Sequence, residues 1–598
     1  VAVIVPLTGA ALSWRDRRLY RRGVPHQILS GALHYFRVHP ALWRDRLRRL
    51  ADLGLNTVDT YVAWNYHQPS VSRKPDFTGW RDIAAFIALA GEEGLDVIVR
   101  PGPYICAEWS NGGLPAWLTG RDIALRSSDP GFTGPVGDWF DALVPQLVPL
   151  QATHGGPIVA VQVENEFGSF GDDAAYLRWN RDALLTRGLR ELLFTADGPT
   201  ALMQDGGTIP GTLAAATLGS KAPAARALLS ARRPDEPFVV AEYWSGWFDH
   251  WGEHHHVRGV DSAAGTLADI VADGGSVSIY MAHGGTNFGL WAGANTDPAG
   301  RLQPTVTSYD SDAPIAEDGR LTPKFHAVRA LLGATGPVRV PERLPVLPPA
   351  TLPLTHRSGL LDGLRAVPAA VVAAPRPASF ERLGLESGMV LHTARVTVPD
   401  GEHTITVTGV RDRALIFMDD AFTAVVTPDA PAVTVRGTGA TVTLEVLVES
   451  LGRVNYGHEV GGRKGLLGPV LVGRRGVQGW ASRPIPLQDW SAAALSAAVA
   501  AGPGGEAGFA TAELHVDAPA DTFFALPGSY RGMVWVNDFL LGRYWEVGPQ
   551  VTLYCPAPLL RPGRNVITVL ELERLGTTVE LRAEPELGPP EEYIEEFD

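Results

Sequence analysis

The stretch Ile158-Val-Ala-Val-Gln-Val-Glu-Asn-Glu166 is apolar along one side, polar along the other, and ends on a carboxylate. Strand alternation sends Val159, Val161 and Val163 to one face and Gln162, Glu164 and Glu166 to the opposite one. A sheet wrapped by helices wants the valines outward. The polar set then faces the inside of a closed ring, with Glu166 at the C-terminal rim and Glu164 one layer deeper. Similar β-rich runs occupy residues 27–32, 57–62, 97–101, 192–196, 214–218, 238–242 and 277–281, with helical segments between them. Between the first two, Trp43, Leu47 and Leu50 share one helical face and Gly54 supplies the stop. Eight such runs before Gly333 predict an N-terminal (β/α)8 TIM barrel over residues 1–335. An open doubly wound sheet shows the same alternation, and periodicity alone does not separate the two.

Beyond the barrel the pattern changes. Residues 336–370 carry Pro337, Pro341, Pro345, Pro348, Pro349 and Pro353. Their fixed φ and missing donors predict an extended connector in place of a helix or central strand. The runs 390–398, 404–410, 414–418 and 442–448 alternate as antiparallel strands, and 511–516, 532–537, 550–554 and 565–570 do so again. They predict two all-β, jelly-roll-like sandwich domains, at 371–500 and 501–598, the second ending in an acidic, peripheral tail from Glu584 to Asp598.

Composition narrows the partners. The 598 residues are 45% hydrophobic and 19% charged, as in a folded globular protein. Lys and Arg number 51 against 65 Asp and Glu, a net charge of −14. Such a surface repels phosphate backbones and anionic lipids, so neither nucleic acid nor membrane is an expected partner, and a neutral small molecule stays open. No apolar run reaches the ~18 residues of a membrane span. Residues 1–5 are apolar but lack a basic n-region and read as an early strand. Two cysteines, Cys106 and Cys555, are too few for a disulfide scaffold, so a reducing, cytoplasmic compartment is expected. A homo-oligomer is left open.

Phe238-Val-Val-Ala-Glu242 also ends on a carboxylate and runs into Tyr243-Trp-Ser-Gly-Trp247. Two carboxyl groups at two strand ends of one barrel are what glycoside hydrolysis requires. One is protonated to release the leaving oxygen, the other ionised to attack or to activate water. A lone strand-end Glu serves equally as the partner of a buried Arg; two of them amid aromatic residues favour the chemistry. Of the 16 Trp, all but Trp480, Trp490, Trp535 and Trp545 lie at or before Trp291. Their rings suit the C–H faces of sugars, although any single one serves as well as core filler. Arg100 shares the inward parity of Ile98 and is expected to neutralise Asp59 or Glu164, because an unpaired buried charge is expensive. His254-His255-His256 splay to different sides and predict a rim loop in place of a metal site. No metal and no cofactor are expected. Cys106 is read as a packing residue, and His34 and His67 as core or rim histidines.

These residues sit within a longer set of collinear motifs. They are Ser30-Gly-Ala-Leu-His-Tyr-Phe-Arg37, Thr60-Tyr-Val-Ala-Trp-Asn65, Arg100-Pro-Gly-Pro-Tyr-Ile-Cys-Ala-Glu-Trp109, Gly112-Gly-Leu-Pro-Ala-Trp117 and Gln162-Val-Glu-Asn-Glu-Phe-Gly168. Glu242-Tyr-Trp-Ser-Gly-Trp-Phe-Asp-His-Trp251, Gly284-Gly-Thr-Asn-Phe288, Thr307-Ser-Tyr-Asp310, Trp535-Val-Asn537 and Leu541-Gly-Arg-Tyr-Trp545 follow. From Ser30 to Trp545 the chain resembles glycoside hydrolase family 35, a β-galactosidase family with its acid/base on strand 4 and its nucleophile on strand 7. The resemblance implies a retaining exo-β-galactosidase with Glu166 as acid/base and Glu242 as nucleophile. It further implies Tyr61, Ala107, Glu108, Asn165 and Tyr309 as contacts to the terminal galactose, with Trp247 stacked on its ring. Two departures stand out. Ser311 replaces the second Tyr usual after Ser-Tyr-Asp, which leaves the pocket wider unless a neighbouring aromatic residue fills in. Asp538 replaces the more frequent Gly in a turn outside the barrel. The first keeps another terminal β-glycoside, such as a glucosaminide, open as substrate. A catalytically silent sugar-binding protein is the non-enzymatic alternative.

Overall fold

Eight parallel strands close into a ring, which excludes the open sheet. They are β1 (Leu29–Ala32), β2 (Thr57–Tyr61), β3 (Asp96–Arg100), β4 (Ile158–Gln162), β5 (Leu192–Asp197), β6 (Leu213–Leu218), β7 (Val239–Trp244) and β8 (Ser276–Tyr280). All eight lie at the β-rich runs, and β8 returns to β1 through Ser278↔Ser30. The computed structural model describes residues 10–597, so the run 1–5 lies outside it. Helices separate the strands on the outside. Trp43–Leu53 buries Trp43, Leu47, Leu50 and Leu53 and stops at Gly54, whose φ of 104° is left-handed and whose N–H bonds the Ala51 carbonyl. Each fully buried leucine of that face contributes about 1.5–3 kcal/mol, so a charge at Leu47 would weaken the packing of the helix on the ring.

The ring interior is stratified. At the N-terminal ends of the strands, Ile98, Ala160, Leu192, Phe194, Leu213 and Val239 pack with Leu12 and Leu19 of a small three-stranded sheet over residues 12–26. Above this apolar plug lies a polar layer of Asp59, Arg100, Gln162 and Ser278, all fully buried.

Two register shifts change which side chains face in. Ile158 pairs with Val97 but Ala160 pairs with Ile98, so Val159 is the extra residue of β4. It packs inside with Ala160, whereas Val161 and Val163 keep their outward places. In β7, Val240 pairs with Ala216 and Glu242 with Thr217, a bulge at Ala241. Ala241 packs inside and Glu242 bonds to interior groups, so both neighbours point inward. Alternation also fails past Gln162. Glu164 and Glu166 have φ of 59° and 45°, and Glu164 leaves the ring axis for Arg126 and Tyr176 instead of forming a deeper interior layer.

The β-rich remainder forms two sheet pairs. Sheets of six and four strands take residues from 372 to 485, and sheets of five and four take residues from 350 to 582. The segment 336–370 is more than a connector. Ala350–Pro353 and Thr355–Gly359 are edge strands of the second pair, and Leu360–Ala366 is a helix. An edge strand tolerates proline because one row of its N–H groups has no partner, and the helix begins only past Pro353. The acidic tail is not peripheral either: Pro590–Glu592 pairs in parallel with His255–Val257, so His255 and His256 belong to a short strand and only His254 precedes it in a loop. Among the described residues no helix is long and apolar enough to cross a membrane.

Candidate active site

A cavity of about 150 Å³ opens at the C-terminal mouth of the ring, directly above the polar layer. Glu166 and Glu242 both line it. Their surroundings differ in kind. Glu242 Oε1 accepts from Arg100 Nη1 at 3.0 Å and from the Tyr61 hydroxyl, and its Oε2 accepts from the Trp244 indole N–H at 3.3 Å. Arg100 is itself fixed from below, its Nε donating to Asp59 at 2.9 Å and another N–H to the Ala241 carbonyl at the bulge. Thus Arg100 neutralises Asp59 as expected and Glu242 in addition, while Glu164 goes to Arg126. Among the described residues the Glu166 carboxyl is held by a single hydroxyl, Thr217 Oγ1 at 2.9 Å. Burial, and then the neighbouring Glu242 charge, push the Glu166 carboxyl well above its usual range. Burial raises Glu242 too, but Arg100, Tyr61 and Trp244 oppose it. These surroundings favour the proton on Glu166 and the negative charge on Glu242.

Facing this pair, the loop after β3 presents Cys106, Ala107 and Glu108, with φ of 54°, 59° and 47°. Such left-handed backbone costs of order 1 kcal/mol per residue and is found where a site imposes it. Arg37 holds the turn by donating to the Ala107 carbonyl at 2.5 Å, with its guanidinium 3.8 Å from the centre of the Tyr309 ring. Burial raises the Glu108 carboxyl, against the Tyr309 hydroxyl and Arg37, which pull it down. Tyr309 is buried behind Glu108, to which it donates, and takes no part of the cavity wall; Tyr280, bonded to it at 2.9 Å, does. Tyr61, Ala107, Glu108 and Trp247 all line the cavity. Asn165 is not part of the cavity wall: its Oδ1 accepts from Gln162 at 3.0 Å, and its buried Nδ2 has no partner among the described residues. Ser311 also lines the cavity, together with the rings of Trp247, Phe248 and Tyr280.

Several contributors escape a reading of the barrel motifs. Arg126 donates to both oxygens of Glu164 at 2.9 and 2.7 Å and to the Asn165 carbonyl at 2.7 Å, fixing the turn that carries Glu166. Nothing in its sequence neighbourhood marks it. From the first sandwich, Asn455 donates to Glu108 at 3.4 Å and Tyr456 lines the cavity. Glu595 and Phe597 also line it. Two aromatic residues four places apart in an acidic tail, Tyr593 and Phe597, are the one signal that could have found them. Among the described residues no group of three or more His, Cys, Asp or Glu side chains is placed to hold a metal ion.

Residues 18–335 match Glycosyl hydrolases family 35. Residues 377–486 match the beta-galactosidase first all-beta domain and 507–565 the beta-galactosidase galactose-binding domain. A beta-galactosidase of Xanthomonas manihotis is 38% identical, over 95% of this chain and 94% of its own length. One from Bos taurus is 38% identical over 94% and 90%. A beta-galactosidase-1-like protein of Mus musculus is 39% identical over 92% of this chain and 88% of its own.

Proposed function

The chain belongs to glycosyl hydrolases family 35, and on that premise we propose that it is a retaining, exo-acting β-galactosidase releasing terminal β-D-galactose. The observation that carries this is the unequal pair at one cavity: Glu242 beside a cation and two further donors, Glu166 buried with one hydroxyl.

In the first step a Glu242 oxygen attacks the anomeric carbon while Glu166 gives its proton to the glycosidic oxygen, and the C–O bond to the aglycone breaks. Loss of that proton leaves Glu166 as a base. It then takes a proton from water, whose oxygen displaces Glu242 and restores the β configuration. Arg100 and Tyr61 keep Glu242 ionised for attack and make it a better leaving group in the second step. The free amide N–H of Asn165 is available to the 2-hydroxyl, a contact that strengthens as the oxocarbenium-like transition state forms. Glu108 accepts hydrogen bonds from vicinal hydroxyls, Ala107 borders the ring, Trp247 stacks on its apolar face, and Tyr309 orients Glu108.

Glu242→Ala is expected to be nearly inactive on an aryl β-galactoside and to regain turnover with azide, giving the α-galactosyl azide. Proton NMR of the product decides. Recovery of β product, or no rescue at any azide concentration, removes Glu242 from the role. A panel of aryl β-glycosides run alongside tests galactose against glucosaminide.

A further inference from the structure

Residues 589–597 leave the second sandwich and return to the barrel mouth. The pairing of Pro590–Glu592 with His255–Val257 is extended by the Tyr593 N–H, which donates to the Val257 carbonyl at 2.9 Å. Period two follows: Tyr593, Glu595 and Phe597 turn toward the barrel and are half-buried, while Ile594 and Glu596 are exposed. The Tyr593 ring lies 5.5 Å from Trp247, and the Phe597 ring 5.5 Å from Trp244, the same indole that donates to Glu242. Two glycines make room. A Cβ on Gly219, just past β6, would come within 2.5 Å of the Glu595 carbonyl, and one on Gly198, just past β5, within 2.9 Å of the Phe597 ring. On the outer side Glu596 accepts from Ser220 at 3.1 Å and pairs with Lys221 at 2.9 Å.

Which half of a substrate this wall meets follows from the ring order. Of the residues assigned above to galactose, Tyr61, Ala107 and Glu108 come from the ends of β2 and β3, while Asn165 and Trp247 follow β4 and β7. Glu595 and Phe597 lie against Gly219 and Gly198, just past β6 and β5, with Phe597 also against Trp244 at the end of β7, on the side of Thr217, which holds Glu166. The leaving oxygen must lie within reach of the Glu166 proton, so the leaving group departs on that side. We propose that Glu595 and Phe597 form the leaving-group subsite, the ring of Phe597 taking the apolar face of a second sugar and the Glu595 carboxylate its hydroxyls. This rests on the galactosidase reading and adds to it a preference for hydroxylated, ring-shaped aglycones.

The test uses the whole chain, with Phe597→Ala and Glu595→Gln each compared with the unaltered protein on galactosyl fluoride and on a galactosyl-β-1,4-glucose disaccharide. The ratio of kcat/KM for the disaccharide to that for the fluoride is expected to fall about tenfold in Phe597→Ala, and less in Glu595→Gln. Phe597→Tyr, which keeps the ring, is expected to restore it. If Phe597→Ala does not fold, Glu595→Gln carries the same comparison. Equal losses on the two substrates, or an unchanged ratio, overturn the subsite. An unaltered chain that hydrolyses neither substrate overturns the galactosidase reading instead, and the subsite with it.

Discussion

Replacing Arg100 by Met keeps most of its bulk but leaves Glu242 without its cation and Asp59 without its partner. Both changes raise the Glu242 carboxyl, since the Arg100 charge held it down and an uncompensated Asp59 pushes it up. The acid limb of kcat/KM reports ionisation of the nucleophile in the free enzyme, so in Arg100→Met it is expected to move to higher pH by about one unit. The plateau falls as well, because a buried carboxylate has lost its partner. A pH–rate profile checks this. A lower plateau with an unmoved acid limb would mean that Arg100 acts through packing alone. Arg100 and Asp59 were legible from strand parity, because both sit in regular parts of β2 and β3. Arg126 was not, since a loop residue announces its partner only through a fold that brings Glu164 to it.

At the level of elements, the carboxyl pair is aimed by breaks in regularity. Strict alternation along β7 groups Glu242 with Val240, which packs against the helix layer; the bulge at Ala241 reverses that and turns the carboxylate into the mouth. Glu166 follows the end of β4, in a turn that runs straight into the short helix Phe167–Ser169. Gly168 in that turn packs so closely on helix Ala201–Gly207 that a Cβ would strike the Met203 carbonyl. Gly168→Ala is therefore expected to cost about 1–3 kcal/mol through overpacking and to displace Glu166 from Thr217. The melting temperature and kcat should fall together. A fully active protein of lower stability would show that the turn adjusts without moving the carboxyl. The eight strands themselves were readable because β-rich runs recur between helical segments, whereas a bulge depends on the neighbouring strands' register, which no single strand contains.

Across the whole molecule the first sandwich is bolted to the barrel. Glu386 accepts from Asn65 at 3.1 Å and from the Ala116 N–H at 2.8 Å, linking the loops beyond β2 and β3 to that domain. Burial, only partly offset by Arg453, raises its pKa from 4.5 to about 7. The folded chain thus binds this proton more tightly than the unfolded chain does. Its contribution is complete below pH 4.5, declines as pH rises toward about 7, and changes no further above. Glu386→Gln removes the titration. The stability of the unaltered protein relative to Glu386→Gln is expected to drop between pH 5 and pH 8, as followed by thermal unfolding. A difference constant over that range would show that Glu386 keeps one protonation state throughout folding.

Local chemistry along the chain determined the eight barrel strands, the β-rich blocks that follow, and the two strand-end carboxyl groups, because hydrophobic period and residue type are written in consecutive positions. Tertiary structure alone decided that the ring closes, that Glu164 turns away to Arg126, that Tyr309 stands behind Glu108, and that Asn455, Tyr456, Glu595 and Phe597 complete the cavity. Those outcomes depend on contacts between residues up to several hundred positions apart. The free energy of such contacts comes from burial and pairing in three dimensions, and no one-dimensional pattern encodes it.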